Sequence, residues 1–242
     1  MIDFSGTCIL LDIEGTTSSV SFVYDVMFPF ARRELDAFLA ANWGDAKVDD
    51  VCELVAKDAG HESFQQWCDS SAADGRTLLR DEVVRLMDGD AKATGLKSLQ
   101  GLIWKSGFES GEMRAHVYED VVPAIDAWKA AGRDVRIYSS GSIAAQKLFF
   151  GHSEQGDLLD RFSGHYDTTS GGKKEQGSYT AIVGDIGIAA DQVLFLSDVV
   201  AELDAAQAAG LQTGLCVRPG NAAVDAGHGH ATIETFADVK LS

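Results

Sequence analysis

The chain has 242 residues, of which 45% are apolar and 24% are charged, an ordinary composition for a globular protein. Its 37 acidic and 20 basic residues give a formal net charge of −17, which argues against nucleic acid or an anionic membrane as a partner. There is no apolar run of about 18 residues and no basic, apolar leader at the start. We therefore expect a cytoplasmic protein without a membrane span.

The first candidate strand, Thr7–Ile13, is a short apolar run that reaches a carboxylate, Asp12. A second carboxylate, Glu14, follows two residues later, before Gly15 and two threonines. Residues two apart on a strand point the same way, so we expect both carboxylates at the strand's carboxyl end, where open α/β sheets bind ligands. One carboxylate could attack a phosphorus or carbon centre while the other handles protons. A solvated loop is the alternative.

The stretch 20–115 has helical spacing and almost no strand signal. One helix face is expected at Ala31, Leu35, Phe38 and Leu39, a second at Leu79, Val83, Leu86 and Met87, and a third at Leu99, Leu102 and Ile103. This pattern predicts an all-helical module inserted directly after the first strand.

Strands and helices alternate in the rest of the chain. The further strands are expected at Asp134–Tyr138, Gln192–Leu196 and Thr213–Val217, and the helices at Val121–Ala131, Ile143–Phe150, Tyr179–Ile188 and Glu202–Ala209. The alternation predicts an α/β fold, a doubly wound parallel sheet with an inserted helical cap. Residues 1–19 and 116–242 would form the core and residues 20–115 the cap.

Polar residues follow the later strands as well. Ser139 and Ser140 come after the second strand and precede a helix, an arrangement that suits an anion. Lys173 and Lys174 follow two glycines and could bring a cation to a phosphate, although this segment on its own is more typical of a solvated loop. Asp198 ends the third strand, so Asp12 and Asp198 could chelate Mg²⁺ through oxygen.

Four motifs therefore follow one another along the chain: a carboxylate pair, a hydroxyl, a lysine and a further carboxylate. This order resembles the four motifs of the haloacid dehalogenase-like hydrolase superfamily. A narrower resemblance, to the enolase-phosphatase (acireductone synthase) family, covers nearly the whole chain. It is carried by Leu11–Thr17, Leu99–Trp104, Tyr138–Ser142, Ala145–Leu148, Arg218–Asn221 and the spacing Asp167-Thr168, Lys173, Ser178-Tyr179. The matches inside the cap are the specific ones, because many phosphatases share the core motifs.

This resemblance implies that Asp12 is the nucleophile, Glu14 and Lys173 are catalytic, and Ser139, Ser140 and Lys173 hold the phosphate. It also implies a Mg²⁺ site of Asp12, Glu14 and Asp198, with Glu14 binding through its side chain or its backbone carbonyl. The substrate would be the small phosphorylated diketone 2,3-diketo-5-methylthiopentyl 1-phosphate of methionine salvage. The enzyme would enolise it and then remove the phosphate to release the acireductone.

Two positions depart from the usual pattern. Glu14 stands where most of the superfamily has Asp, although the narrower family has Glu here too. Ala201 stands where the family usually has a polar or basic residue, while Glu202 keeps an acidic residue that could orient Lys173. The cap is expected to close over the substrate as a lid, with Phe22, Trp104 and Phe108 as candidate contacts of the methylthio tail.

Several alternatives stay open. A phosphatase of another small phosphate without an enolase step is the main one, followed by a phosphonate hydrolase or phosphomutase. A non-enzymatic scaffold would predict loss of Asp12, Lys173 or Asp198, and all three are present. The base for enolisation is not identified. We expect a monomer, free thiols at Cys8, Cys52, Cys68 and Cys216, and a loop rather than a metal site at His228–His230.

Overall fold

The computed structural model describes residues 1–225 and 227–242. The chain divides into two compact units, which we call the α/β unit (Met1–Val23 and Arg114–Ser242) and the helical unit (Tyr24–Met113). A π-helical turn, Phe22–Met27, contains the first division. The helical unit lies inside the predicted stretch 20–115.

The helical unit contains α1 (Phe28–Asn42), α2 (Ala46–Asp58), α3 (Phe64–Ser70), α4 (Gly75–Asp88) and α5 (Thr94–Glu109). Side-chain caps start three of them: Asp45 accepts from Lys47 N, Ser63 from Gln66 N, and Asp74 from Thr77 N. Helix α5 packs closely on α2, because a Cβ at Gly95 would lie only 2.5 Å from Val55 Cγ2. The expected all-helical character of this segment is confirmed.

The α/β unit contains two parallel sheets. Its strands are β1 (Ile2–Phe4), β2 (Cys8–Leu11), β3 (Asp134–Tyr138), β4 (Gly164–Tyr166), β5 (Val193–Ser197), β6 (Gln212–Cys216), β7 (Ala231–Ile233) and β8 (Val239–Leu241). Six of them form one sheet in the order β4-β3-β2-β5-β6-β7, and β1 pairs with β8. All their pairings are parallel, which confirms the predicted fold class.

Helices α6 (Val121–Ala130), α7 (Ile143–Gly151), α8 (Gln176–Ile186) and α9 (Val200–Ala208) connect these strands. Cys8 and Leu10 share one buried core with residues of α8 and α9, such as Tyr179 and Leu203. Ile9 alternates to the opposite face of β2 and is also fully buried. A strand buried on both faces explains why β2 and β5 read as uninterrupted apolar runs.

The strand order places a switch point between β2 and β5. The chain passes from β2 to β3 and β4 in one direction and then returns to β5 on the other side of β2. Leu11 pairs with Leu196, so both strands end side by side. Ligands of open α/β sheets bind in the crevice at such a point.

The short outer strands were not predicted. β4 and β7 have three residues each, are partly exposed, and lack the apolar run that marks the central strands. β1 and β8 are equally short and pair with each other, with Ile2, Phe4 and Val239 buried. The pattern at Thr7–Ile13 also predicted too long a strand, because β2 ends at Leu11.

The remaining expectations concern single residue types. The four cysteines are free; Cys8, Cys52 and Cys216 are buried and Cys68 is partly buried. The segment around His228 and His230 is a loop, in which His230 contacts Asp204 Oδ1 through Nε2 at 3.0 Å. Among the described residues, no helix combines the length and the apolar character needed to cross a bilayer.

Candidate active site

A buried lysine lies between two carboxylates at the switch point. Lys173 Nζ is 2.6 Å from Asp12 Oδ1 and 2.6 Å from Glu202 Oε2. Ser197 Oγ donates to Glu202 Oε2 at 2.9 Å and lies 3.5 Å from Asp12 Oδ2. Asp12, Lys173 and Glu202 are 5%, 7% and 7% exposed, so solvent hardly screens this cluster. The expected proximity of Glu202 and Lys173 is therefore present.

Two tyrosine hydroxyls hold the loop that carries Lys173. Tyr138 Oη donates to the carbonyl of Gly171 at 3.0 Å, and Tyr179 Oη donates to the carbonyl of Lys173 itself at 2.6 Å. Both rings are fully buried, which restricts the movement of the loop. Lys174, by contrast, is exposed. Sequence reasoning missed the tyrosines' role, because no local pattern relates a tyrosine hydroxyl to the backbone carbonyl that it binds.

Asp198 follows β5 and lies against the backbone of Gly15. Gly15 has a φ of +68°, and a Cβ at this position would be 2.2 Å from Asp198 Oδ2. Only glycine allows both this conformation and this close approach. The loop after Asp12 and the end of β5 are therefore in direct contact.

The electrostatics of the site follow from its excess of carboxylates. Burial, together with the charges of Asp12 and Glu202, raises the pKa of Asp198 to about 7. Burial and Asp12 also raise the pKa of Glu202, against the opposing effect of Lys173. Burial disfavours the charged form of Lys173, but the two adjacent carboxylates outweigh it and raise its pKa, so this lysine remains an ammonium.

The donors at this point fit a hard divalent cation. Asp12, Asp198 and Glu202 share one ammonium, and a divalent cation would offset the remaining negative charge. In residues 1–225 and 227–242, no three His, Cys, Asp or Glu side chains are grouped as a metal-binding cluster. Mg²⁺ does not require such a cluster, because it usually takes one or two carboxylates and fills its other positions with water and phosphate.

The strand alternation that predicted convergence of the Asp12 and Glu14 side chains does not extend to these residues, and their convergence stays a prediction. Asp12 is buried, whereas Glu14 is exposed. The strand alternation ends at Leu11, and the amides of Thr16, Thr17 and Ser18 all donate to the Ile13 carbonyl in a tight turn. Glu14 therefore lies in this turn rather than on the strand.

The serines after β3 differ in exposure. Ser139 is buried, its amide donates to the Tyr166 carbonyl at 3.2 Å, and Ser140 is exposed. Part of the α7 N-terminus is already in use, since Asp167 Oδ2 accepts from the Ile143 amide at 3.0 Å. Although burial acts in the other direction, hydrogen bonds from Thr169 and Ile143 lower the pKa of Asp167. Ser139 Oγ accepts from the Gly141 amide at 3.3 Å, and phosphate binding by the two serines stays a prediction.

The three aromatic residues expected to contact the substrate tail have different surroundings. Phe22 is buried in the α/β unit and makes an edge contact with Phe149, with ring centroids 5.8 Å apart. Phe108 is buried in the helical unit. Trp104 is partly exposed and donates from Nε1 to the Met27 carbonyl at 2.7 Å. Packing accounts for Phe22 and Phe108, and Trp104 retains an accessible face.

Comparison with known proteins agrees with this geometry. The family model of haloacid dehalogenase-like hydrolases matches residues 7–210. The Enolase-phosphatase E1 of Synechococcus elongatus is 46% identical over 96% of this chain and 97% of its own, and that of Drosophila mojavensis is 42% identical over 94% and 92%. The crystal structure of the UTR4 protein from Saccharomyces cerevisiae matches with a TM-score of 0.79 at 35% identity, over 96% of this chain and 99% of that one. A dehalogenase at 17% identity and a TM-score of 0.55 shares the fold. The chain therefore belongs to the haloacid dehalogenase-like hydrolases and, within them, to the enolase-phosphatase E1 family.

Proposed function

We propose that this chain converts 2,3-diketo-5-methylthiopentyl 1-phosphate into the acireductone and phosphate in methionine salvage. Relatives named Enolase-phosphatase E1 support this reaction at 42–46% identity over most of the chain. The geometry that carries the proposal is the buried Lys173 between Asp12 and Glu202, beside Asp198 at the switch point. The substrate would be this small phosphorylated diketone, with neither nucleic acid nor membrane involved, and the protein would act as a cytoplasmic monomer.

Asp12 is the nucleophile in this proposal. One of its carboxylate oxygens would form a bond to phosphorus as the bond between phosphorus and the substrate oxygen breaks. Glu14 would give a proton to that leaving oxygen and later take one from the water that hydrolyses the aspartyl-phosphate. Lys173, Ser139 and Ser140 would hold the phosphoryl oxygens, and Glu202 would keep Lys173 directed at Asp12.

The charge of the transferring group needs more neutralisation than one lysine supplies. Asp12, Asp198 and the backbone carbonyl of Glu14 would hold Mg²⁺, which supplies positive charge to the phosphoryl oxygens when bound. The excess of buried carboxylates over cations supports this assignment.

Enolisation requires a base beside an acidic C–H bond and positive charge at the developing enolate oxygen. Lys173 fits the second requirement, because its two carboxylate partners keep it protonated. The base is not assigned. Closure of the helical segment as a lid over the substrate stays a prediction.

The test offers the diketone phosphate and follows enol absorbance and free phosphate in the same sample. We expect both signals to rise, with p-nitrophenyl phosphate as the control for general phosphatase activity. Phosphate release without the enol product would favour the alternative, a phosphatase of another small phosphate. Absence of both signals, with the control substrate hydrolysed, would refute the proposed substrate.

A further inference from the structure

The turn Arg218–Asn221, directly after β6, is joined to the loop that follows Asp12. Pro219 occupies its second position and Gly220 its third, with a φ of +88°, and the Asn221 amide donates to the Arg218 carbonyl at 3.1 Å. This is the pattern of a type II β-turn. The turn presents its first and last side chains to two consecutive residues of the loop, Gly15 and Thr16.

Arg218 is a fixed anchor within the α/β unit. Its Nε donates to the Thr16 carbonyl at 3.1 Å, and its Nη1 donates to Asp120 Oδ1 at 3.0 Å. Its guanidinium carbon lies 4.7 Å from the ring centroids of both Tyr118 and Phe236. Because hydrogen bonds and two aromatic rings hold the Arg218 side chain, the turn has little freedom to move.

Asn221 binds the carbonyl of Gly15, the residue before the Thr16 that Arg218 binds. Its Nδ2 donates to the Gly15 carbonyl at 2.9 Å and to the Cys216 carbonyl at 3.1 Å. Both partners are acceptors only, so the NH₂ side of the amide must face them. The hydrogen bonds therefore tie the loop after Asp12 to the end of β6.

The other side of the same amide, Oδ1, lies close to Gly15, the residue that contacts Asp198. A Cβ at Gly15 would lie 3.0 Å from Asn221 Oδ1 and 2.2 Å from Asp198 Oδ2, so both side-chain oxygens lie on the side of Gly15 where a side chain would point. Asn221 Oδ1 is buried and has no hydrogen-bond partner in the described part of the chain. Buried acceptors normally have a hydrogen-bond donor, so an unpartnered Oδ1 needs an explanation. The two carbonyls that accept from Nδ2 set the orientation of the amide, and this orientation holds the loop.

We propose that Asn221 is a positioning residue for the cation-binding pair Asp12 and Asp198. By holding the Gly15 carbonyl, it keeps the loop after Asp12 packed against Asp198 and sets the spacing of the two carboxylates. This inference rests on the proposed function, since it assumes that the pair binds Mg²⁺. Without Asn221, the Gly15 carbonyl loses a donor and the loop is free to move away from Asp198.

Asn221→Ala removes the contact, and Thr235→Ala is the matched control. Thr235 Oγ1 donates to Asp120 Oδ2 at 3.0 Å, in the same junction as Arg218. Its replacement also removes a side-chain hydrogen bond, but no hydrogen bond given for the described residues joins Thr235 to the loop 13–18. A purely structural effect should therefore appear in both variants.

Mg²⁺ binding is measured by titration calorimetry on metal-free wild-type and variant proteins, with thermal unfolding in EDTA alongside. We expect Asn221→Ala to weaken Mg²⁺ binding about 10-fold or more, as is typical for residues that orient metal ligands, and Thr235→Ala to change it by less than about twofold. Hydrogen exchange gives a second readout. The amides of Thr16, Thr17 and Ser18 should exchange faster in Asn221→Ala only.

The outcomes separate this inference from the proposed function. If the wild-type protein binds Mg²⁺ and Asn221→Ala binds it equally well with unchanged exchange, Asn221 has no positioning role and the proposed function stands. If the wild-type protein binds no Mg²⁺, both the proposed metal site and this inference are wrong. Equal weakening in both variants would assign Asn221 a structural role. Asn221→Ser, which cannot span both carbonyls, gives the same readouts if the alanine variant does not fold.

Discussion

Replacing Lys173 by alanine tests the charge network at the centre of the site. The substitution removes the ammonium that lies 2.6 Å from both Asp12 and Glu202 and leaves two buried carboxylates without their cation. Removing one partner of a buried ion pair costs about 3–5 kcal/mol of unfolding free energy. A protein of this size loses about 2–4 °C in Tm for each kcal/mol, so we expect Tm to fall by about 6–20 °C in metal-free buffer.

Lys174→Ala is the matched control, because it removes the same charge from the next residue. Lys174 is exposed, and surface substitutions of this kind change the unfolding free energy by at most about 0.5 kcal/mol. Its Tm should therefore stay within about 2 °C of the wild-type value. A comparison of the two variants cancels the effect of the altered net charge.

The difference in unfolding free energy between Lys173→Ala and Lys174→Ala depends on pH through the raised pKa of Lys173. A lysine whose pKa is higher in the folded state stabilises fully below its unfolded pKa of about 10.4 and loses that contribution only as pH rises through the folded value. The difference between the variants should therefore be complete at pH 7 to 8. Thermal unfolding followed by circular dichroism measures it.

The same pair of variants tests catalysis. Loss of a preorganised charge at the phosphoryl group typically costs about 10²–10³-fold, which we expect in kcat/KM for Lys173→Ala at constant ionic strength. Lys174→Ala should retain nearly all activity. If the two variants lost equal stability and equal activity, or if Lys174→Ala lost more than Lys173→Ala, the assignment of the phosphate-binding lysine to Lys173 would be wrong.

Three further predictions concern the carboxylates and the cation. EDTA should abolish phosphate release and added Mg²⁺ should restore it; undiminished turnover in excess chelator contradicts the metal site. Asp12→Asn should abolish phosphate release with the fold retained, and more than about a tenth of wild-type turnover, roughly 1.4 kcal/mol of barrier, would rule out Asp12 as the nucleophile. Asp198→Asn should stabilise the metal-free protein at pH 8 by about 1–2 kcal/mol after allowance for solvent screening. Because the pKa of Asp198 is raised to about 7, its ionisation destabilises the fold as pH rises from about 4 towards 7, so this gain should be absent near pH 4 in urea titrations.

The sequence was sufficient for the four central strands of the six-stranded sheet and for three of the inserted helices, α1, α4 and α5, whereas α2 and α3 were not predicted. β2 and β5 are buried apolar runs, β3 and β6 are partly buried, and each of the four was predicted to within about two residues. Gly210, which follows α9, has a φ of +92°, the left-handed conformation in which glycine commonly ends a helix. These elements are determined locally, by the period of their apolar residues and by the residues at their ends.

Only some residues of the candidate site could be predicted from the sequence. Asp12, Asp198 and Lys173 could be singled out, because a polar residue directly after an apolar strand or a glycine pair is a local signal. The exposure of Glu14 could not be predicted, because it depends on where β2 ends and how the chain then turns. The choice of Lys173 over Lys174 rested on resemblance, and the structure gives it a physical basis in burial.

Tertiary structure alone decided the contacts between distant segments. The Tyr179 hydroxyl on the carbonyl of Lys173 and the Asn221 amide on the carbonyl of Gly15 join positions that no local pattern relates. The short strands β4 and β7 form for the same reason, since each buries only one residue of its own and otherwise depends on hydrogen bonds to a neighbouring strand. Such contacts depend on which chain segments become neighbours, and the fold sets this only once the strands have assembled in the order β4-β3-β2-β5-β6-β7.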